Sequence, residues 1–222
     1  SQPGKPSAAN QEEADFVSVI LADTEDTWSV MLPQQGLNYR APKLVLFSGY
    51  VQSACGMNSS ATGPFYCPGD PKVYIDLEFF HTLGQLGAHG DFARAYVVGH
   101  EIGHHVQNLM GTSGKVRRLQ QQTGQAKANS LSVLLELQAD CYAGVWAHQA
   151  NKRRNLLEPG DEDEGLNAAA SIGDDRLLRR AGRHASPDAF THGSSDQRVY
   201  WLRKGLETGD MNACNTFAAA SG

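Results

Sequence analysis

What this sequence lacks narrows its reading first. No apolar run approaches the roughly 20 residues that a membrane-crossing helix requires. No block of Lys and Arg stands out, and the formal charge of −5 is mild for 222 residues. Neither nucleic acid nor a stable membrane contact is therefore expected of this chain. No C-x-x-C spacing occurs among the four cysteines, Cys55, Cys67, Cys141 and Cys214, which argues against a cysteine-held zinc. No internal repeat is present. The acidic stretch "EPGDEDEG" lacks the spacing of an EF-hand and reads as a solvated turn. There is no initiating Met: the chain opens at Ser1, which fits a trimmed start and leaves room for an upstream export or anchor segment.

Four cysteines allow three pairings, and the sequence alone does not choose among them. Cys55 and Cys67 flank the Gly/Ser/Pro-rich "GMNSSATGPFY", a loop that a bridge would staple, leaving Cys141 for Cys214. Buried free thiols in a cytosolic protein are the alternative. The expectation is an exported, extracytoplasmic protein with two bridges.

The length suits one domain with a sizeable core. "SQPGKPSAAN" (1–10) reads as a disordered leader or linker, ahead of a domain over 11–222. Apolar residues at Phe16, Val19, Ile20, Trp28 and Met31 predict an amphipathic helix that ends near Pro33. "KLVLF" (43–47) and "KVYIDL" (72–77) read as strands, and "GPFYC" (63–67) as a short edge strand. Helices are expected near 76–86, 91–109, 115–122, 128–150, 163–172 and 194–207. Strands early and helices late predict an α+β fold.

Chemistry concentrates in "VVGHEIGHHVQNLMG" (97–111), where His100, Glu101 and His104 form H-E-x-x-H. On a helix, positions i and i+4 lie about 40° apart, so both imidazoles address one point. Glu101, about 100° round from His100, falls beside that point, where a general base for a metal-bound water is wanted. His105 faces away and reads as a supporting or packing residue. Gly99 and Gly103 weaken the helix by about 1 kcal/mol each, which points to close packing of another element or a ligand there.

Two histidines need a third ligand. The extension H-E-x-x-H-x-x-G-x-x-H fails, because Gln107 and Met110 stand where Gly and His are required. A thermolysin-like site takes a glutamate from a second helix instead. "LSVLLELQADCYAGVWA" offers Glu136 and, four residues on, Asp140. A carboxylate on so apolar a helix is costly unless it is paired or binds metal. Glu136 is the expected third ligand, with Asp140 bonded to a ligand imidazole; an ion pair to an arginine is the bland alternative. In "DAFTHGSSDQRVYWLRKG", His192 occupies a turn before a helix capped by Ser194 or Ser195. It is a candidate donor to an oxyanion. Arg198 would orient it or bind a substrate carboxylate, against an ordinary surface ion pair.

At these residues the chain resembles the bacterial "putative neutral zinc metallopeptidase" family. The resemblance runs through "FVSVILADTEDTWS", "PKLVLFSG", "SACG", "GPFYCPGD", "VYIDLEFF", "VGHEIGHHVQ", "ELQADCYAGVWA" and "THGSSDQR". It implies a zincin-like, gluzincin-type α+β fold with a small N-terminal sheet and a mainly helical remainder. It also implies His100, His104 and Glu136 as zinc ligands and Glu101 as base. "THGSSDQR" is similar to the T-H-P…R segment of membrane gluzincins that process prenylated proteins, with Gly193 in place of the proline. Family members commonly carry an N-terminal membrane or export segment. The expected activity is Zn2+-dependent hydrolysis of peptide bonds in a peptide or protein substrate. The rivals are a zinc hydrolase of a non-protein amide or ester, and a zinc-binding scaffold, for which Glu101 would have no use.

Overall fold

The structure, a computed structural model, describes residues 8–219. Helix α1 (Ala8–Gln34) buries Val17, Ile20, Trp28, Met31 and Leu32, a stripe at helical spacing. It starts at Ala8, inside the stretch expected as a leader; residues 1–7 lie outside the described residues. Pro33 falls in the last turn and Gly36 follows at φ 77°, where chain reversal needs a residue free to take positive φ.

Strands β1 (Lys43–Phe47), β4 (Phe65–Cys67) and β5 (Lys72–Asp76) form one sheet in the order β1-β5-β4, with β1 parallel and β4 antiparallel to β5. The central strand buries Val73, Tyr74, Ile75 and Asp76, and β4 is left at the edge. Between them lies a hairpin that the sequence pattern did not predict, β2 (Tyr50–Ser53) with β3 (Gly56–Ser59). Its "YVQSACGMNSS" has almost no apolar alternation, because Val51 is the one apolar side chain it packs against Phe47, Cys67 and Tyr74. The Cys55–Cys67 disulfide ties the hairpin turn to β4.

The remainder is helical: α2 (Phe79–Gln85), α3 (Asp91–Leu109), α4 (Thr112–Gln120), α5 (Gln125–Arg154), α6 (Asp161–Ser171), α7 (Asp174–Arg180), α8 (Ser195–Thr208) and α9 (Thr216–Ala219). The fold is α+β with a small N-terminal sheet. Three expectations change in detail. The second helix starts at Phe79 rather than near 76, because β5 holds the chain extended and Leu77 still donates to Phe47 O at 3.4 Å. "DEDEG" is the first turn of α6, not a loop; four carboxylates there suit the positive end of the helix dipole. Helix α7 was not expected, since seven residues bracketed by Gly173 and Gly182 carry too little periodic signal.

Close helix packing sets the frame of the site. A Cβ at Gly103 would sit 2.8 Å from the Ala139 carbonyl, and one at Gly99 would sit 2.9 Å from the Trp146 ring. Helices α3 and α5 therefore approach backbone to backbone along "GHEIG" and "ADCYAGVW". Gly144 and Gly205 do the same between α5 and α8, where a Cβ on either would overlap the other helix's backbone. The Cys141–Cys214 disulfide adds a covalent tie from α5 to the segment after α8. Glu164 of α6 accepts from Phe92 N at 3.2 Å and so satisfies a free N–H at the start of α3.

These glycines give a test with opposite signs. Gly205→Ala forces backbone apart and should cost about 1–3 kcal/mol in urea unfolding. Gly114→Ala meets nothing nearer than an arginine tip at 3.6 Å and should add up to about 1 kcal/mol through helix propensity. Equal effects at the two sites would contradict the packing described.

Candidate metal centre

His100 and His104 stand one turn apart on α3, and their Nε2 atoms lie 3.1 Å from each other. Glu136 comes in from α5, its Oε2 2.9 Å from His100 Nε2 and its Oε1 3.3 Å from His104 Nε2. These ligand atoms lie within 4.8 Å of one another. The far nitrogen of each ring is already committed: His100 Nδ1 to Asp140 Oδ1 at 2.8 Å, and His104 Nδ1 to Gln107 Oε1 at 2.8 Å. The Gln107 orientation is fixed independently, since its Nε2 donates to Leu135 O and Gln138 Oε1. Both Nδ1 atoms must therefore be donors, which turns both Nε2 lone pairs toward a carboxylate. Two lone pairs facing an anion repel unless a cation or proton lies between them. That donor set, two imidazoles and one carboxylate, fits a zinc ion.

Asp140 is fully buried and accepts from four donors: Tyr96 OH, His100 Nδ1, Arg198 Nε at 2.8 Å and Arg198 Nη2 at 3.0 Å. Arg198 also reaches Tyr96 OH and Ile172 O. Arg198 thus supports the metal ligands through Asp140. Its guanidinium is bonded in the interior and makes no hydrogen bond to His192 among the described residues, so its direct partner is Asp140 rather than the His192 ring. Burial raises the Asp140 pKa, but Arg198 and His100 outweigh it and hold it at about 2. Burial pulls the His100 imidazole down, yet Asp140 and Glu136 carry it up to about 10. Glu136 likewise raises His104 against burial. Both imidazoles hold Glu136 well below the carboxylate range.

Glu101 is buried, makes no hydrogen bond among the described residues, and lines a cleft of about 770 Å³ together with His100, His104, Glu136 and His192. Burial pushes its carboxyl up. One wall of this cleft is apolar, formed by Phe79, Leu86, Val97, Ile172 and Leu177. His105 points the other way. Its Nε2 donates to Arg40 O at 2.5 Å, and its Nδ1 accepts from Tyr66 OH at 2.8 Å. Asn108 also donates to Tyr66 OH, so α3 grips the edge strand β4 through two side chains.

His192 lies in a turn held by one carboxylate. Asp174 Oδ2 accepts from the backbone N–H groups of Thr191, His192 and Gly193 at 2.9, 2.7 and 3.0 Å. Its Oδ1 is 3.3 Å from His192 Nδ1, and this pairing raises the His192 pKa. Gly193 has φ 99°, a conformation closed to proline, and donates the N–H that proline lacks. Ser194 caps α8, with Gln197 completing a capping box. Reading the sequence missed Gln107, Tyr96 and Asp174. The first two stand at i+3 from His104 and i−4 from His100, a helical spacing that could have found them. Asp174 has no local signal, since its partners lie 17 to 19 residues away.

A family model described as "Putative neutral zinc metallopeptidase" matches residues 1–217. The uncharacterized protein YpfJ of Escherichia coli strain K12 is 53% identical over 207 residues, covering 93% of this chain and 72% of its own. The uncharacterized protein Rv2575 of Mycobacterium tuberculosis strain H37Rv is 47% identical over 204 residues, covering 87% of this chain and 67% of its own. No solved structure matches the chain significantly.

Charge on the imidazoles makes metal uptake pH-dependent. A pKa carried up to about 10 keeps His100 protonated at neutral pH without metal, and His104 is pushed in the same direction by Glu136 against burial, whereas a ligand must be deprotonated. Zinc binding at pH 7 should release at least the His100 proton, read by calorimetry in buffers of different ionisation enthalpy. Affinity should climb as pH rises. Heats independent of the buffer would contradict the assignment.

Proposed function

The chain belongs to the neutral zinc metallopeptidase family named above, and from that premise we propose that it is a zinc metalloendopeptidase of gluzincin type. The observation that supports this most is the unpartnered, buried Glu101 carboxylate facing the same cleft as the His100, His104 and Glu136 cluster. His100, His104 and Glu136 hold the zinc, which when bound polarises a water and the scissile carbonyl. Glu101 accepts the proton of the attacking water and later delivers it to the leaving amine. A carboxyl with its pKa raised by burial is suited to both tasks. His192, whose pKa the bond to Asp174 raises, donates to the developing oxyanion. Asp174 positions that ring and its turn together. An extended substrate adds as a strand to the open edge of β4, which the Tyr66–His105 grip holds at a fixed height over α3.

Two disulfides suit an oxidising compartment, and we place the working enzyme outside the cytoplasm. Among the described residues no helix is long and apolar enough to cross a membrane.

Glu101→Gln should keep its zinc and lose cleavage of a mixed peptide library by about 10³-fold or more. His192→Ala should lower kcat by about 10²–10³ with KM little changed. If wild type and Glu101→Gln both hold zinc and neither cleaves any peptide, the peptidase reading is lost.

A further inference from the structure

The mouth of the apolar wall carries charge that the reaction does not use. Residues 176–184, "RLLRRAGRH", hold four arginines and no carboxylate in a chain of net charge −5. Their place is fixed by one bond: Arg180 Nη2 donates to Leu86 O at 2.8 Å, and Leu86 is itself part of the cleft wall. Arg180 therefore sits on the rim, where α7 meets the end of α2. Arg176 lies one turn earlier on the same face of α7, beside the wall residue Leu177, and its side chain makes no hydrogen bond or ion pair among the described residues. Arg183 is exposed and similarly unpaired. Arg179 is neutralised by Asp175 at 2.9 Å. An apolar wall that ends in guanidinium groups without a carboxylate partner among the described residues matches one kind of peptide: a bulky apolar side chain with carboxylates beyond it.

We propose that the α7 rim selects substrates by recognising acidic side chains a few residues from the scissile bond, through Arg176, Arg180 and Arg183. It rests on the cleft being a peptide cleft. Arginine presents a planar fork to a carboxylate, and at an exposed rim each such pair is screened by salt. The effect is thus a modest, salt-sensitive preference and not an absolute requirement.

The test uses zinc-loaded Glu101→Gln protein and fluorescein-labelled dodecapeptides with a central Phe. One pair carries three Asp residues on either its N- or C-terminal side, and the matched pair carries Asn. The acidic peptide of one orientation should bind about three- to tenfold more tightly than its Asn twin at low salt. The difference should shrink when ionic strength rises to about 0.5 M. Arg176→Gln, which breaks no bond of the fold, should reduce the difference, and Arg176→Gln/Arg180→Gln should abolish it. Arg117→Gln, at the α4 side of the cleft, should leave it in place. Equal binding of acidic and Asn peptides, no binding of either, or a preference lost with Arg117 instead overturns the proposal. A wild type that cleaves no peptide while this acid preference persists would sink the peptidase reading alone. Cleavage indifferent to flanking charge would sink only the rim.

Discussion

The structure depends on how closely α3 and α5 approach. Side chains at positions 99 and 103 would hold the helices apart, since a Cβ there falls 2.9 Å from Trp146 and 2.8 Å from Ala139 O. With glycine at both, the helices pack with their backbones nearly touching, and only one register satisfies both contacts. That register sets Glu136 and Asp140, one turn apart on α5, against His100 and His104, one turn apart on α3. The helix-propensity penalty of two glycines, about 1 kcal/mol each, is what places the carboxylates on the imidazoles.

The same approach creates an electrostatic problem that α8 resolves. Asp140 is fully buried, and an unpaired carboxylate there would cost several kcal/mol. Arg198 answers it with two hydrogen bonds, and Tyr96 and His100 take the remaining acceptor capacity. Such a pair is weak evidence for stability, because apolar replacements of similar volume are often as good. Its value here is geometric. Asp140 fixes the His100 ring, while Arg198 fixes α8 and, just before it, the turn that carries His192. Gly144 and Gly205 let α8 come near enough for the arginine to reach.

Much of this was readable because local spacing carried it. The H-E-x-x-H pair, the Glu136/Asp140 pair and the glycines between them each repeat at one helical turn, so their faces follow from the sequence. The helix expected at 91–109 is α3 to the residue. What escaped was non-local. The β2–β3 hairpin is specified by a disulfide and a single inward valine rather than by alternation. Arg198 was legible as a partner for His192 or a substrate carboxylate, but its bond to Asp140, 58 positions away, was not. Asp174 organises a turn nearly twenty residues downstream, for which no periodicity exists. Gln107 was legible only as a failure of another motif, and its bond to His104 shows why a polar residue stands there.

Charge balance explains why so many ionisable groups can share one small volume. Asp140 and Arg198 cancel each other, which leaves Glu136 and Glu101 against two imidazoles. Raised imidazole pKa values and a depressed Glu136 favour protons on the imidazoles whenever nothing else supplies positive charge. A dication placed among the same three ligand atoms supplies it instead and releases those protons. The polypeptide around the site then sees nearly the same field in both conditions, because the groups that hold the rings, Asp140 and Gln107, bond the far nitrogens and are untouched by the exchange. The rings can therefore be fixed before metal arrives. Preorganisation of this kind costs nothing at the moment of binding, and it leaves Glu101, which makes no hydrogen bond among the described residues, free to exchange protons with whatever enters the cleft.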